Sequence, residues 1–216
     1  MQDLKFILCD LSSDLCDEWK KSLEYYKIDN KNFIIFNGRL EDCKYEFECI
    51  VSPANSYGRM DGGLDMIISH YFSPHKYQNT IRHVQSVLYE QCNGYQIPGT
   101  CMLIGMDIFN KPCKWLAHVP TMKVPENVCW NKDIIYNCMY SLLNSINIHN
   151  KQHLKNKSKI IKNVFITGLA TGIGGVSSKI CAKQMILAYK NFIETLQSKT
   201  FTMEWCDIHN KLQDLY

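Results

Sequence analysis

The 216-residue chain has little that would place it in a membrane, and its charges are nearly balanced. No stretch approaches the roughly 18 consecutive apolar residues of a membrane helix, and the start of the chain lacks the basic and apolar segments of a secretion signal. Lys and Arg number 24 against 21 Asp and Glu, so the net charge of +3 suits an anionic ligand without the dense basic face of a dedicated nucleic-acid-binding protein. We therefore expect a cytoplasmic protein, with the nucleus as a second location, and neither a membrane nor nucleic acid as its partner.

The chain also lacks the cysteine spacing of structural zinc sites. Its 11 cysteines include no Cys-x-x-Cys pair, and most of them sit in apolar runs, as Cys49 and Cys138 do. We expect such thiols to be small buried side chains. His149 and His153 share a helical spacing but have no third ligand, so we expect neither a metal nor a cofactor.

Short apolar runs alternate with stretches of helical spacing along the chain. Strands are predicted at 5–9, 33–36, 49–52, 101–106, 115–119 and 163–167, and helices at 14–26, 62–72, 77–89, 131–149 and 176–196. This alternation predicts an α/β fold with helices layered on a largely parallel sheet, and the length suits one domain over residues 1–216. Residues 200–216 are weakly patterned, and there we expect a last strand followed by a short amphipathic tail.

Two glycine-bearing loops each follow a predicted strand and lead into a predicted helix. The first covers residues 52–65 and contains the pair Gly62-Gly63, and the second covers residues 168–176 and contains three glycines near its end. The first N–H groups of a helix have no partner within the helix, and glycine lacks the Cβ that would keep an anion away from them. The two loops therefore predict a bipartite anion site, between whose halves a diphosphate could lie.

The usual nucleotide motifs do not explain these loops. A P-loop requires Lys and Ser or Thr after its last glycine, but Gly175 is followed by Val176. A dinucleotide fingerprint requires an acid about twenty residues after its glycines, and the candidate, Glu194, ends a predicted helix near the C-terminus. The P-loop is excluded and the dinucleotide fingerprint fits poorly, which leaves a phosphate site built from backbone groups.

Two side chains of the first loop have the chemistry to act on a sugar. The carboxamide of Asn55 suits paired ribose hydroxyls, and the carboxylate of Asp65 could orient a water or take its proton. Asp61 and Asp65 could instead cap the following helix. Tyr57 could contact the ligand or serve in packing, and His118, at a strand end, could be a general acid or base or a hydrogen-bonded structural residue.

A lysine run lies between the fourth predicted helix and the sixth predicted strand. It consists of Lys151, Lys155, Lys157, Lys159 and Lys162. We expect a solvated connecting loop there, and the alternative is a surface patch that attracts polyanions.

Combined, the two loops show a family resemblance. Residues 50–65, with Asn55, Gly62-Gly63 and Asp65, resemble the first ligand loop of macro domains, the ADP-ribose-binding modules, and residues 171–175 resemble their second, diphosphate-holding loop. Residues 120–125 and the Ser-Pro-Ala-Asn form of the first loop are similar to a less studied branch of that superfamily. The resemblance covers most of the chain and implies a three-layer α/β/α sandwich with a mixed, largely parallel sheet, and ADP-ribose or a derivative as ligand.

The resemblance also implies roles for residues. Asn55 is expected at the distal ribose, and Asp65 matches the acid that hydrolytic members use with a bound water, so these two form the catalytic set. Gly62, Gly63 and the backbone of residues 171–176 are expected to hold the diphosphate. The substrate-binding set is Ser52, Ala54, Ser56, Tyr57, Gly62, Gly63, Leu64, Thr171, Gly172, Ile173, Gly174, Gly175, Val176 and Arg39.

Three positions depart from the family pattern. Arg39 follows Gly38 where macro domains that bind adenine tightly tend to have Asp, and an arginine can stack on a base or pair with a phosphate but cannot accept the adenine amino hydrogen. Gly174 stands where an aromatic residue is common, which we expect to leave room for a larger group. Ser52 replaces the usual leading Asn and is followed by Pro53, which stiffens the loop.

Two functions from different classes remain for the glycine loops. The first is hydrolysis of a bond at the distal ribose, in ADP-ribose 1″-phosphate, in O-acetyl-ADP-ribose or in mono-ADP-ribose linked to a protein carboxylate, with Asp65 acting on the water. The second is a non-catalytic reader of ADP-ribose or of ADP-ribosylated proteins, because binding requires the loops but not the water. Asp65 favours the enzyme. A third hypothesis, nucleic-acid binding through the lysine run, predicts steep salt dependence for an oligonucleotide and no effect from altering Asn55.

Overall fold

The computed structural model describes residues 4–198 and 202–215. The strands are β1 (Lys5–Asp10), β2 (Phe33–Asn37), β3 (Cys49–Ser52), β4 (Met102–Gly105), β5 (Trp115–His118) and β6 (Asn163–Ile166). The helices are α1 (Ser13–Tyr25), α2 (Gly63–Phe72), α3 (Gln78–Cys92), α4 (Ile134–Gln152), α5 (Ser178–Gln197) and α6 (Trp205–Leu212). All elements as far as α5 lie within a few residues of their predicted bounds.

The six strands form one sheet in the order β2-β1-β6-β3-β5-β4. The neighbouring pairs are parallel except β4 with β5, where Leu103 lies opposite Ala117 in an antiparallel register. Parallel neighbours require a crossover, and α1 supplies one between β1 and β2. The mixed, largely parallel sheet predicted from the sequence is confirmed.

Successive side chains of the inner strands enter two separate cores. In β1, Phe6 and Leu8 join the core that contains side chains of α1, α4 and α5. Ile7 and Cys9 point the opposite way, into the core that contains side chains of α2 and α3. Strands covered on both faces are apolar throughout rather than alternating, which is why the sequence shows them as short apolar runs. The predicted three-layer α/β/α sandwich is thereby confirmed.

The C-terminal segment differs from its prediction. Within the described part of residues 200–216, which excludes 200, 201 and 216, the chain forms α6 and no strand. A reciprocal capping box between Glu204 and Asp207 starts this helix. The Nδ2 of Asn191 in α5 donates to Lys211 O at 2.8 Å and attaches α6 to the sandwich.

Six of the cysteines have buried side chains. Cys9, Cys16, Cys49, Cys113, Cys138 and Cys181 are buried thiols. Burial raises the pKa of Cys113 to about 12, so this side chain packs as a neutral group. Within residues 4–198 and 202–215 no three His, Cys, Asp or Glu side chains are grouped as metal ligands. Over the same residues, no helix combines the length and the apolar character that crossing a bilayer requires.

Candidate functional site

A cavity of about 1190 Å³ opens at the carboxyl ends of the parallel strands. Its wall contains the residues that directly follow β2, β1, β6 and β3, which are Gly38, Leu11, Thr167 and Pro53. Parallel strands end at a common edge of the sheet, so the loops that follow them face the same space. The cavity therefore runs across the sheet from β2 to β3 and brings both glycine loops together.

The first glycine loop leaves the N-terminus of α2 uncapped. Ser12 Oγ accepts the Leu15 N–H at the start of α1, and Ser177 Oγ accepts the Ile180 N–H at the start of α5. The corresponding residue of α2 is Gly62, which has no side chain to make such a bond. The first N–H groups of α2 thus have no capping partner. A Cβ built on Gly62 would meet nothing within 4 Å, and the residue lines the cavity.

The second glycine loop uses part of its backbone to hold its own shape. The Gly175 N–H donates to Gly172 O at 3.0 Å, and the Val176 N–H donates to Ala170 O at 3.1 Å. These two amides are therefore engaged within the loop and are unavailable to a diphosphate. In the described part of the chain, the amides of residues 171–174 make no backbone hydrogen bond. Residues 171–174 line the cavity, where such amides are suited to an anion.

Gly174 does not leave room for a larger group, contrary to the sequence expectation. A Cβ at this position would lie 2.5 Å from Ala170 O, so the glycine is required by a close approach of two backbone segments. Ala170 itself has a φ of +56°, in the left-handed region that few residues other than glycine adopt. The second loop is thus tightly folded on itself.

Asp65 lies in the first turn of α2, where it is almost fully buried and lines the cavity. Ser52, at the end of β3, donates its hydroxyl to Asp65 Oδ1 at 2.6 Å. Burial raises the pKa of Asp65 to about 6; the Ser52 hydrogen bond opposes this rise, and the charge of Asp61 adds to it. Asp65 does not cap α2. Asp61 does not cap it either, since its Oδ2 accepts from Arg59 Nε at 2.6 Å.

Replacing Asp65 by Asn is expected to stabilise the fold in alkaline solution. A carboxyl whose pKa is raised in the folded state contributes stability below its unfolded pKa of 3.8 and loses it as the pH rises through about 6. Asparagine carries no such charge, and its Oδ1 can still accept from Ser52. We expect the variant to gain up to about 3 kcal/mol in the free energy of unfolding at pH 8, as measured by urea denaturation.

The pH dependence provides the check on this result. The difference between Asp65→Asn and wild type should shrink as the pH falls towards the unfolded pKa. Asp61→Asn is the matched control: its carboxyl is more exposed, and its pairing with Arg59 is a surface ion pair worth less than about 1 kcal/mol. A constant difference between Asp65→Asn and wild type from acid to alkaline pH would show that burial of the charge is not the cause.

The carboxamide of Asn55 makes most of its hydrogen bonds to the backbone of its own loop. Its Oδ1 accepts the N–H groups of Tyr57 at 3.1 Å and of Arg59 at 3.2 Å, and its Nδ2 donates to Arg59 O at 2.9 Å. One N–H of the carboxamide remains for a ligand. Asn55 lines the cavity, so it can offer a single donor to a hydroxyl oxygen rather than the donor and acceptor that the sequence suggests.

The opposite end of the cavity, beside β1 and β2, carries charges of both signs. Arg39 and Glu41 are exposed and line this end. Asp10 also lines it, and each of its carboxylate oxygens accepts one backbone N–H: Oδ1 accepts that of Ser12 at 2.9 Å and Oδ2 accepts that of Gly168 at 3.2 Å. These bonds fix the carboxylate and leave each oxygen a second lone pair.

Most of the sequence-predicted residues share this cavity. Those in its wall are Arg39, Ala54, Asn55, Tyr57, Gly62, Gly63, Leu64, Asp65, Thr171, Gly172, Ile173, Gly174 and Val176. Ser52, Ser56 and Gly175 do not line it. Ser56 is fully buried with its hydroxyl on Met122 O, and Gly175 faces the side chain of Asn127. These three residues support the loops on the side that faces away from the cavity.

Sequence reasoning missed several wall residues. The apolar ones are Phe165, Met122 and Val124, and they had no distinguishing motif. Asp10 did have a signal, because it ends β1 and lies shortly before α1, at the same kind of strand-to-helix turn as the two glycine loops. The turn after Asp10 contains no glycine, so it does not match the pattern by which the two glycine loops are identified.

The histidines and tyrosines considered from the sequence are mostly structural. His118 is fully buried, its Nδ1 lies 2.7 Å from Gln96 Oε1, and burial lowers its pKa to about 4. His118 is absent from the cavity wall. Tyr57 lines the cavity and is half exposed, with its ring edge against Tyr95.

Comparison with known proteins adds to this geometry. The family model described as a macro-like domain matches residues 21–204. Among solved structures, a glycine-to-valine variant of the Oceanobacillus iheyensis macrodomain with ADPR is 15% identical, covers 72% of this chain and 89% of its own, and has a TM-score of 0.49. The Mycobacterium tuberculosis DarG macrodomain is 14% identical, with coverages of 71% and 88% and a TM-score of 0.47.

A third structure is longer than the region it shares with this chain. The Trypanosoma brucei macrodomain in complex with ADP-ribose is 18% identical and has a TM-score of 0.47. The match covers 69% of this chain and 53% of that one, so this chain spans about half of its length. The family resemblance seen in the two loops is confirmed by the family model, which extends over most of the sequence. The chain belongs to the macro-like domain family.

Proposed function

We propose that the cavity binds ADP-ribose or a derivative. One observation carries the proposal: the uncapped N-terminus of α2 and residues 171–174 present backbone amides to the same cavity, beside a buried carboxylate. Preorganised amides at a helix start are suited to a diphosphate. Family membership supports the same ligand, and two of the similar structures are complexes with ADP-ribose.

The residues that line the cavity support one placement of the ligand. The diphosphate lies between Gly62-Gly63 and residues 171–174. The nucleoside then extends towards Arg39 and Glu41, and the distal ribose extends towards Asn55. Asn55 donates its free N–H to a ribose hydroxyl. At the other end Arg39 offers donors and Glu41 offers acceptors, so the base preference is set by this pair.

We further propose that the protein hydrolyses a bond at the distal ribose. With a pKa of about 6, Asp65 is mostly ionised at neutral pH and is basic enough to take a proton from an attacking water. Ser52 holds Oδ1 and leaves Oδ2 for that water. The candidate bonds are those of the 1″-phosphate, the acetyl ester and the ester to a protein carboxylate.

Two measurements test the proposal. Calorimetric titration with ADP-ribose and with other nucleotide sugars should give binding that is strongest for ADP-ribose, and no binding of any of them would refute the ligand assignment. Incubation with each candidate substrate should then release phosphate, acetate or ADP-ribose.

A reader that binds without hydrolysis is the second candidate. It is favoured by the short hydrogen bond from Ser52, because a carboxylate that already accepts a strong hydrogen bond is a weaker base. Such a reader would bind ADP-ribosylated proteins. Full ADP-ribose binding without release of product from any of the three substrates would support it over the enzyme.

For the enzyme, turnover is expected to rise with pH and to level off above about 6. Only the ionised form of Asp65 can accept a proton, and its pKa is raised to about 6 by burial. The acetyl ester is the appropriate substrate because a phosphate monoester has its own ionisation near pH 6. Turnover that stays constant from pH 5 to pH 7, within about twofold, would exclude Asp65 as the base.

A further inference from the structure

The edge of the sheet opposite the cavity brings together lysines that are far apart in the sequence. The Lys5 N–H donates to Lys162 O at 2.7 Å, which places the starts of β1 and β6 side by side. The Glu48 N–H donates to Asn163 O at 3.1 Å, and the Lys114 N–H donates to Glu48 O at 3.0 Å. This chain of backbone hydrogen bonds fixes Lys5, Lys162 and Lys114 at one edge.

The lysine run before β6 is held against the same edge. Asn150, in the last turn of α4, exchanges two hydrogen bonds with the backbone of Ile161, at 2.8 and 2.9 Å. His149 Nε2 lies 2.8 Å from Lys159 O. The sequence predicts a solvated connecting loop for this segment, and its lysines are exposed. These contacts nevertheless fix its backbone on α4.

The lysines of this edge are largely unpaired. We define the basic edge as Lys5, Lys114, Lys151, Lys155, Lys157, Lys159 and Lys162. Lys114 lies 3.8 Å from Asp107, and within the described residues the other six have no carboxylate at ion-pair distance. The Glu48 carboxylate accepts the backbone N–H groups of Lys162 and Asn163. Even with Asp107 and Glu48 counted, the basic edge is more positive than the whole chain at +3.

We propose that the basic edge binds nucleic acid through its phosphate backbone. A row of exposed, unpaired lysines on a fixed backbone complements a regularly spaced polyanion and needs no base contacts. An anionic membrane is less suitable, because Leu154 is the single strongly exposed apolar side chain within residues 151–162 and one such anchor is weak. The cavity lies at the other edge of the sheet, so nucleic acid and a cavity ligand can be bound together.

The test is the salt dependence of binding to a fluorescein-labelled 20-nucleotide RNA, followed by fluorescence anisotropy. Six unpaired lysines that each displace a counterion predict a slope of about −4 for log K against log salt concentration on a single strand. The full chain is used, and a labelled DNA strand of the same length is measured in parallel. Since the contacts are to phosphates, both strands should bind with similar affinity.

Charge reversal locates the binding surface. The triple variant Lys155→Glu, Lys157→Glu and Lys159→Glu alters exposed side chains only, and it should weaken binding at least about tenfold and reduce the slope to about −2. The matched control, with the same change of charge at exposed lysines beyond the carboxyl ends of β5 and β6, is Lys123→Glu, Lys132→Glu and Lys179→Glu. Thermal unfolding of the edge variant should match that of wild type, which shows that the variant is folded whether or not the cavity binds ADP-ribose.

The outcomes divide clearly. Binding that is lost in the edge triple and kept in the control triple supports the proposal. No binding of either strand at low salt, equal losses in the two triples, or binding to phosphatidylserine vesicles without binding to the oligonucleotides would overturn it. None of these results depends on the proposed hydrolase.

Discussion

Replacing Asp65 by alanine is expected to lower turnover of the distal-ribose substrate by about 10²–10⁴-fold, which is the usual contribution of a general base. Affinity for ADP-ribose should change by no more than a few-fold, because the amides that hold the diphosphate belong to the backbone. The measurement pairs single-turnover kinetics with calorimetric titration of ADP-ribose. A loss confined to the chemical step would identify Asp65 as a catalytic residue rather than a binding residue.

Two control variants sharpen this result. Ser52→Ala removes the hydroxyl that donates to Asp65 Oδ1 and should raise the pKa of Asp65, so the pH at which turnover levels off should move upward. Asp61→Asn leaves the Ser52 and Asp65 pair intact and should keep turnover close to wild type. If Asp65→Ala turns over its substrate at the wild-type rate, Asp65 has no part in the mechanism and the reader becomes the preferred function.

Replacing Gly62 by aspartate is expected to reduce ADP-ribose affinity by at least about 100-fold, through loss of charge-assisted hydrogen bonds and repulsion of the diphosphate. Gly62 has an extended backbone that any residue can adopt, and a Cβ there meets nothing within 4 Å. Aspartate is also a favourable residue at a helix start, so the fold should be as stable as wild type or slightly more so. The new carboxylate would occupy the N-terminus of α2 and displace the ligand.

Gly62→Asn separates charge from occupancy. Asparagine can cap α2 in the same way but carries no charge, so its effect on affinity should lie between those of glycine and aspartate. Thermal unfolding of the two variants checks that neither loss comes from misfolding. Wild-type affinity in Gly62→Asp would mean that the diphosphate does not contact the start of α2.

The sequence predicts the helices and strands as far as α5, and it identifies the two glycine loops. The bounds of β3 and the end of α2 at Phe72 agree with the structure, because buried parallel strands and helices have characteristic apolar spacing. The glycine loops were found because a strand, a turn with glycine and a helix follow one another in the sequence. The convergence of these loops on one cavity was then a consequence of parallel strands ending at a common edge.

Side-chain partners were beyond the sequence. The hydroxyl of Ser52 reaches Asp65 across thirteen residues, because the end of β3 lies beside the first turn of α2. Asn55 was expected to offer both a donor and an acceptor, but loop closure at Tyr57 and Arg59 consumes its oxygen. Such bonds depend on the exact path of a loop, and residue type alone does not encode that path.

The second loop and the C-terminus show the same limit. The glycine at position 174 predicts open space, whereas the backbone of Ala170 occupies the space that a side chain would need. A glycine in a sequence does not distinguish open space from space that another backbone segment occupies. α6 was missed because its capping box, Glu204 with Asp207, begins with a glutamate instead of the usual serine or threonine. In both segments the conformation depends on local contacts and not on amino-acid composition.

Asp10 has a consequence for how the cavity accepts its ligand. One carboxylate joins the turn after β1 to the loop after β6, through Ser12 and Gly168, and so connects the end of the cavity near Arg39 to the glycine loop beside it. Those two walls are set relative to each other before any ligand arrives. Binding then has less loop disorder to overcome, and more of the contact energy remains as affinity.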